Sequence, residues 1–249
     1  MGCVILRTAA RGSAPNVHIM EKEKTVCITG IGRGLGRALV DEYLSRDGIR
    51  VIGVTRDAGK AVPPLESSDR FTVVEADIAE EGGREKVRTA VERAGGVDVL
   101  IHNAGVLLFK PFLEITPDEL RAVYEVNVFA PFHLTRALLP LCRSCHVVSL
   151  SSMGGVDGSL KFAGLSAYSS SKAALNNLTE LLSAEFADTS HAFNCLAMGS
   201  VGTEMFRAAF PGLEAGVDAS TMAKFVGDFG FQAPAVMRGK IIPVSLSNP

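Results

Sequence analysis

The 249-residue chain contains no tryptophan, only three tyrosines, and no run of about 18 or more apolar residues. A helix needs a run of that length to cross a bilayer, so the sequence predicts no membrane-spanning helix. Its 25 basic and 27 acidic residues leave a formal charge of −2. That balance provides no basic field for non-specific binding of nucleic acid. We therefore expect neither a membrane nor a nucleic acid as partner.

Cysteine usage argues against a protein held together by disulfides. The five cysteines are an odd number and lie mostly inside apolar runs, which favours reduced thiols in a reducing compartment. We expect a cytoplasmic protein. Residues 1–19 carry Arg7 and Arg11 without an acid, so organelle targeting stays a minor alternative. The simpler interpretation of residues 1–20 is a flexible N-terminal extension.

From Lys24 onward, short β-rich runs alternate with longer amphipathic segments such as Arg84–Ala94 and Pro117–Leu141. The predicted strands are Thr25–Thr29, Val51–Thr55, Phe71–Glu75, Val97–His102, His146–Ser151, His191–Leu196 and Lys240–Ser245. Strands that are continuously apolar belong in a sheet covered on both faces. Alternation of β and α at this spacing indicates a parallel sheet. The prediction is one α/β domain over residues 21–249, a doubly wound parallel sheet of about seven strands with helices on both faces.

The first predicted strand runs into a glycine-rich turn, Gly30-Ile-Gly-Arg-Gly-Leu-Gly36, which is followed by a helical pattern. Glycines there let the backbone turn tightly and approach a pyrophosphate, which then lies at the helix N-terminus. A phosphate-binding P-loop is excluded, because no Lys-Ser/Thr pair follows the last glycine. A glycine-rich stretch alone is a weak signal, but its position at the first strand–helix junction predicts a dinucleotide site.

Two side chains four residues apart suggest an acid–base pair. Tyr168 and Lys172 stand in a helical pattern, and their spacing places them on one helix face. An ammonium about 4–5 Å away would lower the pKa of the phenol by roughly two units, towards that of a general acid or base. Ser152 follows a predicted strand and would place a hydroxyl beside Tyr168. Taken alone, such a pair also occurs on ordinary helix surfaces.

Asn127 lies where a polar side chain is unusual. It shares the apolar helix stripe of Val123 and Tyr124, and a buried amide must be hydrogen-bonded. Pro131, four residues on, lacks the N–H that would pair with the carbonyl of Asn127. That carbonyl is then free to anchor an ordered water. The alternative is a proline kink with a satisfied core asparagine.

Together these motifs resemble the short-chain dehydrogenase/reductase family from about Lys24 to Ser245. The resemblance is carried by Gly30-x-x-x-Gly34-x-Gly36, Asp77, Asn103–Gly105, Asn127, Ser152, Tyr168 and Lys172. It implies a Rossmann-like fold, a homodimer or homotetramer, and hydride transfer between a nicotinamide and a carbonyl or alcohol. The implied catalytic residues are Asn127, Ser152, Tyr168 and Lys172, with no metal. The implied cofactor-binding residues are Gly30, Arg33, Gly34, Leu35, Gly36, Arg56, Asp77, Ile78, Asn103, Ala104, Gly105, Tyr168, Lys172, Gly199, Val201 and Thr203.

The sequence departs from the family pattern in several places. His102 stands where the family commonly has a second asparagine before Asn103. The interval from Ser152 to Tyr168 is longer than usual, which leaves Ser151 as an alternative to Ser152. The segment near 204–216 is short, so we expect a small substrate loop.

The end of the second strand decides the choice of cofactor. NAD-binding sites usually carry an acid there for the ribose 2′-hydroxyl, whereas this strand ends in Thr55 and Arg56. Arg56 can grip a 2′-phosphate, and Arg33 in the glycine turn can point a second cation at the same place. We therefore predict that NADP(H) is preferred over NAD(H). Asp57 is the rival, as a one-residue shift of the strand end would make it the 2′-hydroxyl acceptor.

Two function classes remain open at this stage. The leading one is an NADP(H)-dependent oxidoreductase acting on a small carbonyl or alcohol, with Tyr168 as general acid/base. The other is a catalytically idle protein of the same fold that senses a dinucleotide. The intact catalytic set favours the enzyme. The pair Cys142-x-x-Cys145 is not expected to bind zinc, because no second ligand pair with zinc spacing occurs in the sequence.

Overall fold

The computed structural model describes residues 23–61 and 63–246, and the extension expected at residues 1–20 lies outside them. Its strands are β1 Lys24–Thr29, β2 Ile49–Thr55, β3 Phe71–Glu75, β4 Val99–His102, β5 His146–Ser152, β6 Ala192–Met198, β7 Val201–Gly202, β8 Val217–Asp218 and β9 Lys240–Val244. Seven of them form one parallel sheet in the order β3-β2-β1-β4-β5-β6-β9, and β7 pairs with β8 outside it. The predicted strand ends differ from the observed ones by up to two residues.

Helices cover both faces of the sheet. They are α1 Gly34–Leu44, α2 Glu81–Arg93, α3 Pro117–Tyr124, α4 Ala130–Leu138, α5 Ser166–Glu185, α6 Glu204–Ala209 and α7 Ala219–Gln232. Val26 and Ile28 pack into the hydrophobic cluster that includes Leu39 of α1. Cys27, between them on β1, packs into a second cluster, with α2 and α4. Successive side chains of a strand point to opposite faces, so the doubly wound α/β prediction is confirmed.

The segment Pro117–Leu141 is helical, but its hydrogen-bonding pattern changes from α-helical to π-helical and back. Between α3 and α4, residues Glu125–Phe129 form a π-helical turn, in which the N–H of Ala130 donates to the carbonyl of Glu125, five residues back. Pro131 has no N–H to continue the ordinary ladder, which accounts for a local change of register. The predicted amphipathic segment is thus helical over its length, with the irregularity next to Pro131 that its missing N–H led us to expect.

Local sequence explains where α3 begins. Thr116 accepts a hydrogen bond from the N–H of Glu119, and the Glu119 carboxylate accepts one from the N–H of Thr116. This reciprocal cap satisfies two free backbone donors, and Pro117 supplies a φ suited to the first turn. Across residues 23–61 and 63–246, no helix is long and apolar enough to cross a membrane.

Candidate active site

The carboxyl ends of the central strands border a cavity of about 1240 Å³. Ligand pockets commonly measure about 300–1,000 Å³, so this one has room for a dinucleotide together with a small substrate. The predicted site residues that line it are Gly30, Arg33, Gly34, Leu35, Gly36, Arg56, Asp77, Ile78, Asn103, Ala104, Gly105, Ser152, Tyr168, Gly199, Val201 and Thr203. Asn127 and Lys172 are buried behind that wall.

The glycine turn is shaped by close backbone contacts. Gly30 has a φ of +75°, and a Cβ there would lie 2.8 Å from the Cα of Ala104. A Cβ at Gly36 would collide with the carbonyl of Gly30. The side-chain amide of Asn103 donates to the carbonyls of Thr29 and Gly30, both at 2.9 Å, and fixes the turn. The N-terminus of α1 therefore lies at the cavity, in the arrangement that binds anionic phosphates.

Three cationic side chains line the cavity beside the end of β2. Arg33 and Arg56 are exposed, and Lys60 joins them. The predicted rival acid, Asp57, lines the same region, but its carboxylate forms a 2.7 Å ion pair with Lys60. Sequence reasoning missed Lys60, although its position three residues after Asp57 in a turn was the available signal. This end of the cavity thus carries excess positive charge, with its nearest acid neutralised.

At the far end, Ser152 and Tyr168 line the cavity together. Burial raises the pKa of Tyr168 to about 12, and a hydrogen bond with Ser152 opposes part of that rise. Ser151 also lines the cavity, but its hydroxyl donates to the carbonyl of Lys172 at 3.1 Å. Because the hydroxyl of Ser152 is the one that pairs with Tyr168, the geometry favours Ser152 over Ser151.

Lys172 is fully desolvated, one helical turn beyond Tyr168. Its ammonium donates to the carbonyl of Leu150 at 2.9 Å and lies 5.8 Å from the centre of the Tyr168 ring. Burial lowers the pKa of Lys172 to about 8. The expectation that Lys172 lowers the phenol pKa was wrong for this geometry, because the desolvation of Tyr168 outweighs an ammonium at that distance.

Asn127 is a satisfied buried amide. Its Oδ1 accepts from the N–H of Val106 at 2.8 Å, and its Nδ2 donates to the carbonyl of Val106 and to the hydroxyl of Ser171, each at 2.9 Å. The amide thereby ties the loop after β4 to α5. A Cβ at Gly105 would lie 3.4 Å from Asn127 Oδ1 and 3.5 Å from Lys172 Nζ. Gly105 therefore separates the cavity from these two polar groups by backbone alone.

Asp77 and Thr203 are held in place by backbone contacts. Asp77 Oδ1 accepts from the N–H of Ala79 at 3.0 Å, which orients the carboxylate after β3. Thr203 caps α6, because its hydroxyl accepts from the N–H of Phe206. Sequence reasoning missed the aromatic residues of this segment, Phe206 and Phe210, which also line the cavity.

Comparison with known proteins identifies the family of this chain. The model of the short chain dehydrogenase family matches residues 24–214. The chain belongs to the short-chain dehydrogenase/reductase family. It is 32% identical over 194 residues to an L-2,3-butanediol dehydrogenase of Corynebacterium glutamicum, covering 74% of each chain. It is 34% identical over 200 residues to a short chain dehydrogenase of Penicillium aethiopicum, covering 74% of this chain and 78% of that one.

Solved structures show the same fold for this family member. A 3-ketoacyl-(acyl-carrier-protein) reductase from Brucella melitensis, complexed with NADH, superposes with a TM-score of 0.78 at 24% identity. The match covers 90% of this chain and 97% of that one. At that identity the likeness extends to the fold, and it confirms the Rossmann-like sheet of this oxidoreductase family.

Proposed function

We propose that this short-chain dehydrogenase/reductase interconverts a carbonyl compound and an alcohol, with NADP(H) as its cofactor. The observation that carries the proposal is that Ser152 and Tyr168 line the same cavity as the glycine turn. The butanediol dehydrogenase similar to this chain is named for such a reaction. A protein that only sensed a dinucleotide would not need the phenol at Tyr168, and for that reason the idle alternative is disfavoured.

The residues around the cavity suit a nicotinamide dinucleotide. The N-terminus of α1 and the turn at Gly30–Gly36 would hold the diphosphate. Asp77 and Ile78 would contact the adenine, and Thr203 the carboxamide of the nicotinamide. When bound, the nicotinamide supplies or accepts the hydride.

The proton chemistry belongs to the chain itself. The hydroxyl of Ser152 would hydrogen-bond the substrate oxygen beside Tyr168 and hold it in place. Tyr168 is protonated at neutral pH, as any phenol is, and its hydroxyl beside Ser152 is placed to donate its proton to that oxygen. Lys172, with a pKa lowered to about 8, can exchange a proton near neutral pH. The backbone carbonyl of Asn127 would accept a hydrogen bond from an ordered water next to Lys172.

The preference for NADP(H) rests on charge. A ribose 2′-phosphate carries negative charge that Arg33 and Arg56 would neutralise, and arginine pairs with phosphate through two parallel hydrogen bonds. Asp57 would otherwise favour a 2′-hydroxyl, but it is engaged by Lys60. These two facts support NADPH over NADH.

The experiment that tests the proposal is a turnover assay over a panel of carbonyl compounds and alcohols. Purified protein should consume NADPH with at least one ketone or aldehyde, and Tyr168→Phe should not. If NADPH bound tightly to the wild type while no member of a broad panel was turned over, the dinucleotide sensor would replace the enzyme as the better account.

We also propose that the protein forms a homodimer or homotetramer. The helical region of α4 and α5 exposes Phe129 and Leu181, at 45% and 59% of their surface, and symmetric homo-oligomers are the commonest soluble assemblies. The sequence suggested Phe129, Leu138, Leu178 and Leu182 for the outer faces of these helices, but Leu138 is buried and Leu182 packs against the core. Sedimentation of a single monomeric species at micromolar concentration would refute this assembly.

A cytoplasmic location remains our proposal for the compartment. Cys27, Cys142, Cys145 and Cys195 are free thiols, as a reducing compartment would keep them. Microscopy of the tagged full-length chain tests this, and an organellar signal that depends on residues 1–19 would contradict it.

A further inference from the structure

Four phenylalanines cluster beside the catalytic end of the cavity, and we call them the aromatic wall: Phe109, Phe162, Phe206 and Phe210. Phe210 is the hub, with its ring centre 5.3 Å from that of Phe206, 5.8 Å from Phe109 and 6.5 Å from Phe162. Three separate segments contribute to it: the loop after β4, the loop before α5, and α6 with the residue that follows. The backbone joins two of them, because the N–H of Lys110 donates to the carbonyl of Gly164 at 2.9 Å.

The wall faces the cavity and does not belong to the protein core. Phe162, Phe206 and Phe210 line the same cavity as Ser152 and Tyr168. None of the four rings is among the buried residues of the two hydrophobic clusters that cover the sheet. Phe109 and Phe162 remain 52% and 43% exposed. Half-exposed aromatic rings beside a reactive centre gain free energy when an apolar ligand covers them.

The positive charge of the cavity lies elsewhere. Its cationic lining residues in the described part of the chain are Arg33, Arg37, Arg56 and Lys60. They belong to the glycine turn, α1 and the end of β2. β2 lies three strand spacings from β5, which ends in Ser152, and that separation is roughly 14 Å. Arg56 and Lys60, which follow β2, therefore lie at the cofactor end, whereas Arg33 and Arg37 belong to the glycine turn and α1, which would hold the diphosphate.

The lysines nearest the aromatic wall in sequence already have partners. Lys161 donates to the carbonyls of Gly154 and Val156, at 2.9 and 2.6 Å. Lys110 donates to both carboxylate oxygens of Glu119, at 2.8 and 2.9 Å. Neither lysine lines the cavity, whereas the acid Glu214 does. Arg207, between Phe206 and Phe210, does not line the cavity either, and its guanidinium lies 3.9 Å from the carboxylate of Glu204. Among the lining residues at this end, an anionic substrate group would therefore meet aromatic carbon and carboxylates, with no cation to offset its desolvation.

From this arrangement we infer that the substrate is a neutral carbonyl compound, or the matching alcohol, with an aryl or bulky alkyl group that packs against the aromatic wall. Carboxylated and phosphorylated carbonyl compounds are rejected. The inference rests on the proposed function and narrows it to a substrate class. The inference has two parts that can be tested separately. Phe210 and its neighbours favour an apolar substrate group, and the charge distribution of the cavity disfavours an anionic one.

The first test compares two compounds that differ in charge at one end. Ethyl benzoylformate and benzoylformate share the phenyl ring and the ketone, but only the second is an anion at neutral pH. With wild-type protein and NADPH, kcat/KM for the ester should exceed that for the acid by about tenfold or more. Equal or faster reduction of the acid would overturn the inference while leaving the proposed function intact.

The second test removes the hub of the wall. Phe210→Ala should raise KM for ethyl benzoylformate by about tenfold and should raise KM for 2,3-butanedione, which lacks an aryl group, by much less. Phe210→Leu keeps most of the apolar volume, so its KM for ethyl benzoylformate should lie between those of the wild type and Phe210→Ala. This variant guards against a folding defect. The matched control is Phe225→Ala on α7, a ring 43% exposed that does not line the cavity. Loss of activity on both ketones in equal measure would contradict a substrate-binding role for Phe210.

A binding measurement separates this inference from the proposed chemistry. Wild-type protein saturated with NADP⁺ has no hydride to give, so calorimetry with ethyl benzoylformate reports binding alone. If neither compound is reduced but the ester binds and the acid does not, the proposed function fails and the apolar site stands. If the ester binds no more tightly than the acid, the inference is overturned whatever the turnover assay shows.

Discussion

The carboxylate of Asp57 lies 2.7 Å from the ammonium of Lys60, and the backbone N–H of Lys60 donates to the same side chain at 3.1 Å. Asp57 is the residue best placed in sequence to accept the ribose 2′-hydroxyl of NADH. Its pairing lowers its pKa through the hydrogen bond from Lys60, so it stays ionised and engaged. Arg33 and Arg56 line the cavity in the same region, and the acid nearest to them is paired with Lys60.

Replacing Arg56 by alanine should weaken NADPH far more than NADH. A charge-assisted hydrogen bond to the 2′-phosphate is worth about 2 kcal/mol, which corresponds to roughly thirtyfold in Kd. NADH lacks that phosphate, so its Kd should change little. Fluorescence titration of both cofactors measures the two constants. The control is Arg143→Ala, because Arg143 is exposed before β5, at the opposite edge of the sheet. Tighter binding of NADH than of NADPH by the wild type would contradict the proposed preference.

Replacing Lys60 by alanine should shift the preference towards NADH. The substitution removes one cation from the 2′ region and releases Asp57, which can then accept the 2′-hydroxyl and repel a 2′-phosphate. The ratio of the NADH Kd to the NADPH Kd should fall by about tenfold. The double variant Lys60→Ala, Asp57→Ala should recover part of that fall. An unchanged ratio in the single variant would show that Lys60 lies outside the range of the phosphate.

Tyr168→Phe should abolish turnover without disturbing cofactor affinity. A positioned general acid contributes about 10²–10⁴ to the rate, whereas the phenol hydroxyl makes no phosphate contact. We expect kcat to fall by about that factor and the NADPH Kd to stay within about twofold, measured by steady-state kinetics and titration. Tyr124→Phe, which alters a tyrosine that does not line the cavity, is the matched control. Wild-type turnover by Tyr168→Phe would show that another group donates the proton.

The sheet and most of the cavity wall were predictable from local sequence. Continuous apolar runs identify strands buried on both faces, and the carboxyl ends of parallel strands meet at one edge, so Gly30, Asp77, Asn103 and Ser152 had to converge. These features depend on backbone period and connection order alone, whereas the sequence left the choice between Ser151 and Ser152 open.

Features that depend on packing between distant segments could not be predicted. The desolvation that raises the pKa of Tyr168 comes from surrounding residues far apart in sequence, and it reverses the shift expected from Lys172 alone. The aromatic wall around Phe210 is assembled by three segments: Phe206 and Phe210 share the i,i+4 spacing of α6, but no pattern in the sequence brings Phe109 and Phe162 to them.

Cys142 should be the most reactive of the described cysteines. Its sulfur accepts hydrogen bonds from the N–H of Val97, at 3.4 Å, and from the Cys145 thiol, and these lower the pKa of Cys142. Cys27 and Cys195 are buried, and burial raises the pKa of each to about 12. Iodoacetamide should therefore label Cys142 before Cys27, Cys145 and Cys195 at neutral pH, and labelling should slow as acid protonates its thiolate. Peptide mass spectrometry after brief labelling checks this; equal labelling of Cys27 would contradict it.

His102 should make the fold sensitive to mild acid. Its Nε2 pairs with the Thr135 hydroxyl at 2.7 Å, its buried Nδ1 has no partner among the described residues, and burial lowers the pKa of the imidazole to about 3. Between that value and an unfolded pKa near 6.5, the unfolded chain binds a proton that the folded chain does not. This stabilisation is therefore present above pH ~6.5 and is lost as pH falls, by about 1.4 kcal/mol per pH unit for each such histidine.

His102→Asn tests this, because an amide does not titrate and asparagine is the residue that the family pattern carries at this position. Urea unfolding from pH 6.5 down to about 4.5 should show a pH slope shallower than that of the wild type by about one proton. His146, whose pKa burial lowers to about 4, should maintain part of the slope in the variant. His133→Asn, at an exposed position on α4, should leave the slope unchanged. If His102→Asn and the wild type lost stability in parallel over this range, the prediction would be wrong. The imidazole of His102 would then have to be charged in the folded protein, which requires an acceptor for its Nδ1 hydrogen.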